Sequence, residues 1–236
     1  MNVLVIVAHP DDEVLGMGGT ILKHSKKGDK VTVAYLTTGI TSRRSTNYKS
    51  NSKYEITKKQ ENNLKKQILE LQNDAKKVCN LLKVKKVKFY DFPDNELDTI
   101  SLLKIIKTVE ELIIKVKPER VYTSHFGDLN VDHRIVYESV LTAIRPSEIK
   151  VKELLCFELL SSTEWSFSYN FKPNYFINIE GELQKKISAM KLYKNEIRKY
   201  PHPRSIESIK HTAGKWGTVS GFNAAEAFQL IRKNEK

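Results

Sequence analysis

Apolar, strand-like runs alternate with helix-periodic segments from Asn2 to Pro146, and few folds accept that order. Asn2–Ala8 precedes a helical pattern over Val14–Lys27 that Gly28 ends. Val31–Leu36 leads through a polar loop, Thr37 to Asn51, into a long helical stretch from about Thr57 to Leu82. Val87–Tyr90 is followed by a turn at Phe92-Pro93-Asp94-Asn95 and a helix over Ser101–Val116. Pro118 precedes a strand, Arg120–Thr123, and a helix from about Val131 to Ile144 stops before Pro146. Strand-helix alternation with short connections predicts a Rossmann-like, three-layer α/β fold, its mostly parallel sheet covered by helices on both faces. Further on, Lys152–Leu159 and Tyr175–Asn178 read as strands, and Glu182–Lys199, Ser205–His211 and Asn223–Arg232 as helices. With no repeat or linker, residues 1–236 are expected to form one domain, the part from about residue 150 completing the sheet and the pocket.

Polar clusters stand at two of the predicted strand ends, where open α/β sheets bind ligands. After the first strand come His9-Pro10-Asp11-Asp12-Glu13. His9 and Asp12 lie three residues apart across a tight turn, so both side chains can converge on one metal ion, with Asp11 beside it as a spare base. After the fourth come Ser124-His125-Phe126-Gly127-Asp128-Leu129-Asn130-Val131-Asp132-His133-Arg134. On a parallel sheet both turns share an edge, and His133 completes a two-His, one-carboxylate set that leaves a position open for water, the form of catalytic zinc. Taken singly, His-Pro-Asp is an ordinary turn and Asp-His before a helix an ordinary cap. Their occurrence at matching strand ends points to a metal site.

Ala8-His9-Pro10-Asp11-Asp12-Glu13 with Gly16-Met17-Gly18-Gly19 resembles the opening of the PIG-L/LmbE family of zinc-dependent deacetylases, and Asn130-Val131-Asp132-His133-Arg134 resembles that family's second metal motif. The resemblance implies Zn2+ (Fe2+ is the other candidate) on His9, Asp12 and His133, with Asp11 as general base. It also implies removal of an N-acetyl group from an amino sugar such as N-acetylglucosamine in a larger conjugate. Many members have a histidine where this chain has Asn130, and an amide can donate to an oxyanion but cannot act as a general acid. Asp132 is expected to orient a neighbouring histidine. Asn130, His125 or His202 would donate to the oxyanion, and Asp11 or His202 would protonate the leaving amine. Arg43, in Thr38-Gly39-Ile40-Thr41-Ser42-Arg43-Arg44, matches a substrate-contacting arginine of the family. Tyr200-Pro201-His202-Pro203-Arg204-Ser205 resembles a stretch of some LmbE-like members. His125, Asp128 and Arg204 are thus expected with Arg43 around the substrate, and the bland alternative for His202 and Arg204 is a rigid turn. His24 and His211 carry no motif and are expected at the surface.

A formal net charge of +12 raises the question of nucleic acid. The lysine pairs between Lys58 and Lys86 alternate with Ile56, Leu64, Ile68, Leu71, Val78 and Leu82, the pattern of a solvated amphipathic helix. No arginine-aromatic interleaving accompanies them, so no nucleic acid partner is expected. Such a surface would speed encounter with anionic small molecules such as sugar nucleotides. No apolar run approaches the ~20 residues of a membrane span, and with a strand pattern starting at Asn2 no signal peptide is expected. Cys79 and Cys156 sit in apolar stretches and read as buried thiols of a reducing compartment, so a cytoplasmic enzyme is expected, with a homo-oligomer compatible. Two other functions fit parts of the pattern. An amidase of the same mechanism could act on a non-sugar N-acyl substrate. A non-catalytic nucleotide-binding protein could use Gly16-Met17-Gly18-Gly19 as a dinucleotide turn. Against the latter, Asp11, Asp12 and Glu13 would repel phosphates, and no carboxylate ends the second strand to hold a ribose.

Overall fold

A computed structural model describes residues 1–40, 58–146, 150–168 and 170–235. The elements run β1 (Asn2–Val7), α1 (Asp12–Lys26), β2 (Lys30–Thr37), α2 (Lys58–Leu81), β3 (Lys86–Phe92), α3 (Leu102–Val116), β4 (Arg120–Ser124) and α4 (Val131–Ala143). They continue with β5 (Glu153–Phe157), β6 (Tyr175–Asn178), α5 (Leu183–Met190), α6 (Ile206–Ser220) and β7 (Ala225–Lys233). One sheet orders them β3-β2-β1-β4-β5-β7-β6. The first five strands are mutually parallel, while β7 runs antiparallel to both β5 and β6.

The layers follow from the period-two alternation of β1. Val3, Val5 and Val7 pack with α1, α2 and α5 residues such as Met17, Ile21, Val78 and Ile187. Leu4, Ile6 and Ala8 face the other way, onto Ile105, Val109 and Leu112 of α3 and Val136 and Val140 of α4. The five β1 residues from Val3 to Val7, and Ala8 after them, are fully buried, which a strand covered on both faces requires. Cys79 and Cys156 are buried free thiols. Among the described residues no helix is long and apolar enough to cross a membrane.

The C-terminal elements depart most from the sequence expectation. Asn223–Arg232, read as a helix from Ala224, Ala225, Glu226 and Ala227, contains the strand β7. Its backbone pairs on both sides, with β5 and β6, and this pairing overrides the helical preference of Ala and Glu. The helix expected over Glu182–Lys199 stops as α5 at Met190, and turns carry the chain through Tyr193 and Glu196. The helix begun at Ser205 runs well past His211, to Ser220, where Gly221 closes it in the left-handed region (φ 76°). His24 is buried, not at the surface. Its ring lies between Asp29 Oδ2 (2.7 Å) and the Tyr122 hydroxyl (2.9 Å), tying the end of α1 to β4.

Candidate metal centre

From β1 the chain builds outward to β2 and β3, then returns to β4 on the other side of β1. The crevice at the carboxyl ends of β1 and β4 is therefore the topological switch point of the sheet. Both polar motifs open onto it. The turn after β1 is fixed by the Ala8 carbonyl, which accepts from Thr37 N–H (2.9 Å) and Thr37 Oγ1 (3.0 Å). The first turn of α4 is tied to the end of β4 by Ser124 Oγ donating to the His133 carbonyl (2.9 Å).

His9, Asp12 and His133 converge, with ligand atoms within 4.8 Å of one another. His133 Nδ1 sits 2.9 Å from Asp128 Oδ1 and therefore carries the proton, which turns the Nε2 lone pair toward His9. His9 Nε2 sits 3.0 Å from Asp94 Oδ1 and 3.1 Å from Asp132 Oδ2, so its Nδ1 lone pair faces His133 Nε2 at 3.1 Å. Asp12 Oδ2 accepts the His9 backbone N–H (2.8 Å) and lies 3.4 and 3.3 Å from the two ring nitrogens, while its Oδ1 is buried without a hydrogen-bond partner. Two lone pairs and a carboxylate oxygen aimed at one another repel unless a cation lies between them. Each imidazole is also backed by a carboxylate on its far nitrogen, as in metal-bound histidines. This donor set, two nitrogens and one oxygen, fits a divalent ion of the zinc or ferrous type. His9 could also join Asp94 and Asp132 in a second cluster, but those two carboxylates occupy its Nε2, and the lone pair is on the other side of the ring.

Charge tells the same story. Burial opposes ionisation of Asp12, yet His133 and His9 outweigh it and hold the carboxyl far below its ordinary range. Burial works against protonated His133, but Asp12 and Asp128 raise it to about 9. His9 is likewise raised by Asp12, Asp132 and Asp94 against burial. The centre favours positive charge.

Asp11 stands beside this set at the N-cap of α1 with φ 113° and ψ −26°, a left-handed conformation that costs a non-glycine residue about 1–3 kcal/mol. Its Oδ2 is 3.0 Å from Arg204 Nη1, but no N–H is aimed at it, and that oxygen is buried without a hydrogen bond. Burial pushes the Asp11 carboxyl well above its ordinary value. The Arg204 guanidinium opposes this, while Glu196, Asp12 and Glu13 add to it.

The remaining candidates are distributed differently from the sequence expectation. Asp132 supports His9 and, through Oδ2 and Oδ1, accepts the N–H groups of Asn95 (2.6 Å) and Leu97 (3.1 Å), docking the turn that carries Asp94. Asp128, expected at the substrate, is filled from within: His133, Asn130 N–H, Ser162 Oγ and Thr163 Oγ1 all bond it. Asn130 caps α4, accepting from Asp132 N–H (2.8 Å), and donates to Asn95 Oδ1 (2.7 Å). His125, expected toward the pocket, accepts Gly127 N–H at Nδ1 (3.1 Å) and donates from Nε2 to Gln229 Oε1 (3.2 Å), so both nitrogens serve the fold. His202 accepts Arg204 N–H at Nδ1 (3.1 Å), which leaves the proton on Nε2, and its ring meets Trp165 edge-on. Burial, Arg204 and Arg198 lower its pKa. Arg204, besides Asp11, reaches Glu196 Oε2 (3.0 Å) and Ser161 Oγ (2.7 Å). Arg43 lies outside the described residues. Asp94 and Glu196 escaped the sequence reading. Asp94 had a visible signal, a carboxylate in a turn following a strand on the same sheet edge, whereas Glu196 had none.

The glycine run does not form a dinucleotide turn. At Met17 (φ −151°, ψ 27°) α1 breaks its helical backbone, and the freed amides of Gly19 (3.0 Å) and Thr20 (2.7 Å) donate to the Glu226 carboxylate of β7, itself paired with buried Lys186. A carboxylate already occupies the place a pyrophosphate would take. A Cβ at Gly16 would meet the Phe157 ring at 2.1 Å, and one at Gly19 would meet Ile179 at 2.8 Å, so these glycines permit close packing.

Known proteins share this arrangement of chain. Diacetylchitobiose deacetylase of Thermococcus kodakarensis is 27% identical over 240 residues, covering 98% of this chain and 83% of the relative. The solved structure of N,N'-diacetylchitobiose deacetylase from Pyrococcus horikoshii, complexed with its inhibitor MPG, matches with a TM-score of 0.74 at 22% identity, over 98% of this chain and 83% of the other. GalB, the 4-carboxy-2-hydroxymuconate hydratase of Pseudomonas putida KT2440, matches with a TM-score of 0.72 at 20% identity, over 100% and 98%. Deacetylase and hydratase share one fold, so fold alone does not fix the reaction. The family model of GlcNAc-PI de-N-acetylases, PIG-L, matches residues 4–144, more than half of the chain, and the protein belongs to that family.

Proposed function

We propose that the protein is a metal-dependent hydrolase that removes an N-acetyl group from an N-acetylated amino sugar or sugar conjugate. The observation that carries this reading is a pair of buried carboxylates at one crevice: Asp12, whose Oδ2 meets two convergent imidazoles, and Asp11, held beside them by Arg204 at 3.0 Å. One suits a cation and the other suits a proton. Family membership and the diacetylchitobiose deacetylases among the relatives support the acetyl-sugar substrate. The net charge of +12 supports an anionic conjugate, and two buried free thiols support a reducing, cytoplasmic setting.

His9, Asp12 and His133 would hold the ion, zinc by preference, with Asp128, Asp94 and Asp132 fixing the ring orientations. When bound, such an ion supplies Lewis acidity, polarising the acyl carbonyl and making water acidic enough to deprotonate near neutral pH. Asp11 takes the proton of the attacking water, for which a carboxyl with a raised pKa is well suited. The same carboxyl then returns the proton to the leaving amine. Asn130 and His125 have their polar groups engaged within the fold, and His202, with its lowered pKa, is neutral near pH 7 and serves as a hydrogen-bond donor from Nε2. Arg204 holds Asp11 in place between proton transfers.

The test is acetate release by the zinc-loaded protein from a panel of N-acetyl sugars, sugar nucleotides and glycosides. At least one should be hydrolysed. Silence across the panel with hydrolysis of a non-sugar N-acyl amide would replace the sugar assignment by an amidase.

A further inference from the structure

Glu13 is a fully buried carboxylate that belongs to neither candidate ligand cluster. Its Oε2 accepts the Asp11 backbone N–H at 3.0 Å, and its Oε1 accepts the Tyr193 hydroxyl at 2.7 Å. Asp11 is the residue with φ 113°, while its carbonyl accepts the N–H groups of Val14 and Leu15 at 3.0 Å each. The backbone of Asp11 is thus gripped on both sides of a conformation it does not favour.

Tyr193 comes from 180 residues away in sequence, from the stretch after α5. That stretch also carries Glu196, which pairs with Arg204, which in turn faces the Asp11 carboxylate at 3.0 Å. One segment, 193–204, therefore governs both ends of Asp11, the amide through Glu13 and the carboxylate through Arg204.

We propose that Glu13 and Tyr193 are positioning residues: a buried carboxylate–phenol clamp that holds the Asp11 backbone left-handed and so sets the direction of the Asp11 carboxylate. The inference rests on Asp11 being the proton acceptor. The Asp11 N–H is buried and the Glu13 carboxyl oxygen is its partner, and leaving that N–H unpaired in the interior is costly. Without the clamp, Asp11 relaxes toward right-handed backbone, which swings its Cβ and displaces the carboxylate.

The experiment uses the zinc-loaded protein with Tyr193→Phe, which deletes one hydroxyl and keeps the ring, and Glu13→Gln, which keeps the volume. In 15N-labelled protein the Asp11 amide proton should move upfield and exchange faster in both variants, while metal content stays at the wild-type level. The kcat should fall by about 10- to 100-fold, the scale of a slightly misplaced catalytic group, with KM unchanged. In an Asp11→Asn background, Tyr193→Phe should cause no further loss, because the residue acts only through Asp11. An unchanged Asp11 amide in both variants overturns the clamp. A shifted amide with unchanged kcat, or an additional loss in the Asp11→Asn background, overturns the positioning role. Full turnover by Asp11→Asn overturns the base assignment instead, and the amide resonance still decides the clamp. If Glu13→Gln does not fold, Tyr193→Phe alone carries the test.

Discussion

His9 and His133 each spend one ring nitrogen on a carboxylate and aim the other into a common space, and this division is the source of their predicted behaviour. His133→Ala removes the Nε2 donor but leaves α4 capped by Asn130, so the variant should fold and should lose stoichiometric zinc and all turnover. Elemental analysis of the purified variant checks this, and full occupancy in both His9→Ala and His133→Ala would remove the two residues from the ligand set. Asp11→Asn keeps the size of the side chain and its tolerance of left-handed backbone, and it leaves Asp12 untouched. Metal content should persist while turnover falls by about 10²–10⁴-fold, the usual scale for a general base. Loss of metal in Asp11→Asn but not in Asp12→Asn would show the carboxylates exchanged. Convergence of His9, Asp12 and His133 was legible in the sequence because each stands within a few residues of a strand end, and a parallel sheet puts strand ends together. Roles set by distant partners were not legible. Asp128 looked like a pocket residue until Ser162 and Thr163, more than thirty positions later, were seen to bond it. Nothing near Glu13 in sequence announces Tyr193, the partner of its carboxyl 180 residues on.

At the scale of elements, α1 shows a helix shaped by what it packs against. It breaks at Met17, offers the Gly19 and Thr20 amides to Glu226 of β7, and brings Gly16 against the Phe157 ring of β5. Gly16→Ala would place a methyl 2.1 Å from that ring, in a core with no slack. The expected cost is about 1–3 kcal/mol, as for other overpacked cores, even though alanine favours helix by about 1 kcal/mol over glycine. A urea-unfolding midpoint that rises in Gly16→Ala would mean that helix propensity outweighs packing there. The same competition explains where sequence reading stopped. The continuous apolar run of β1 and the apolar stripes of α3 and α4 declare their burial locally, so the parallel half of the sheet was legible. β7 does not, because Ala and Glu favour helix and only pairing on both edges makes the segment a strand.

For the whole molecule, the candidate metal centre joins segments more than 120 residues apart, at the point where the sheet divides between β1 and β4. An unfolded chain cannot present that ligand set, so ion binding should add directly to folding stability. At a free ion concentration about 100 times Kd the gain is about 2.7 kcal/mol. For a chain of this size that corresponds to a Tm rise of roughly 5–10 °C, at ~2–4 °C per kcal/mol. The gain depends on pH. In the metal-free protein the His133 pKa is raised from 6.5 to about 9, because Asp12 and Asp128 outweigh the opposing burial. A group raised on folding contributes stability that is complete below its unfolded value and is lost as pH rises through its folded value. The metal-free protein should therefore weaken between about pH 6.5 and 9, the interval across which protons compete less and less with a cation for the imidazoles. The difference in Tm between zinc-loaded and chelator-treated protein should widen across that interval, and calorimetric titrations should record proton release on binding that shrinks toward pH 9. A Tm difference that is flat with pH, or one that survives in His133→Ala, would place the stabilising ion somewhere other than the β1–β4 crevice.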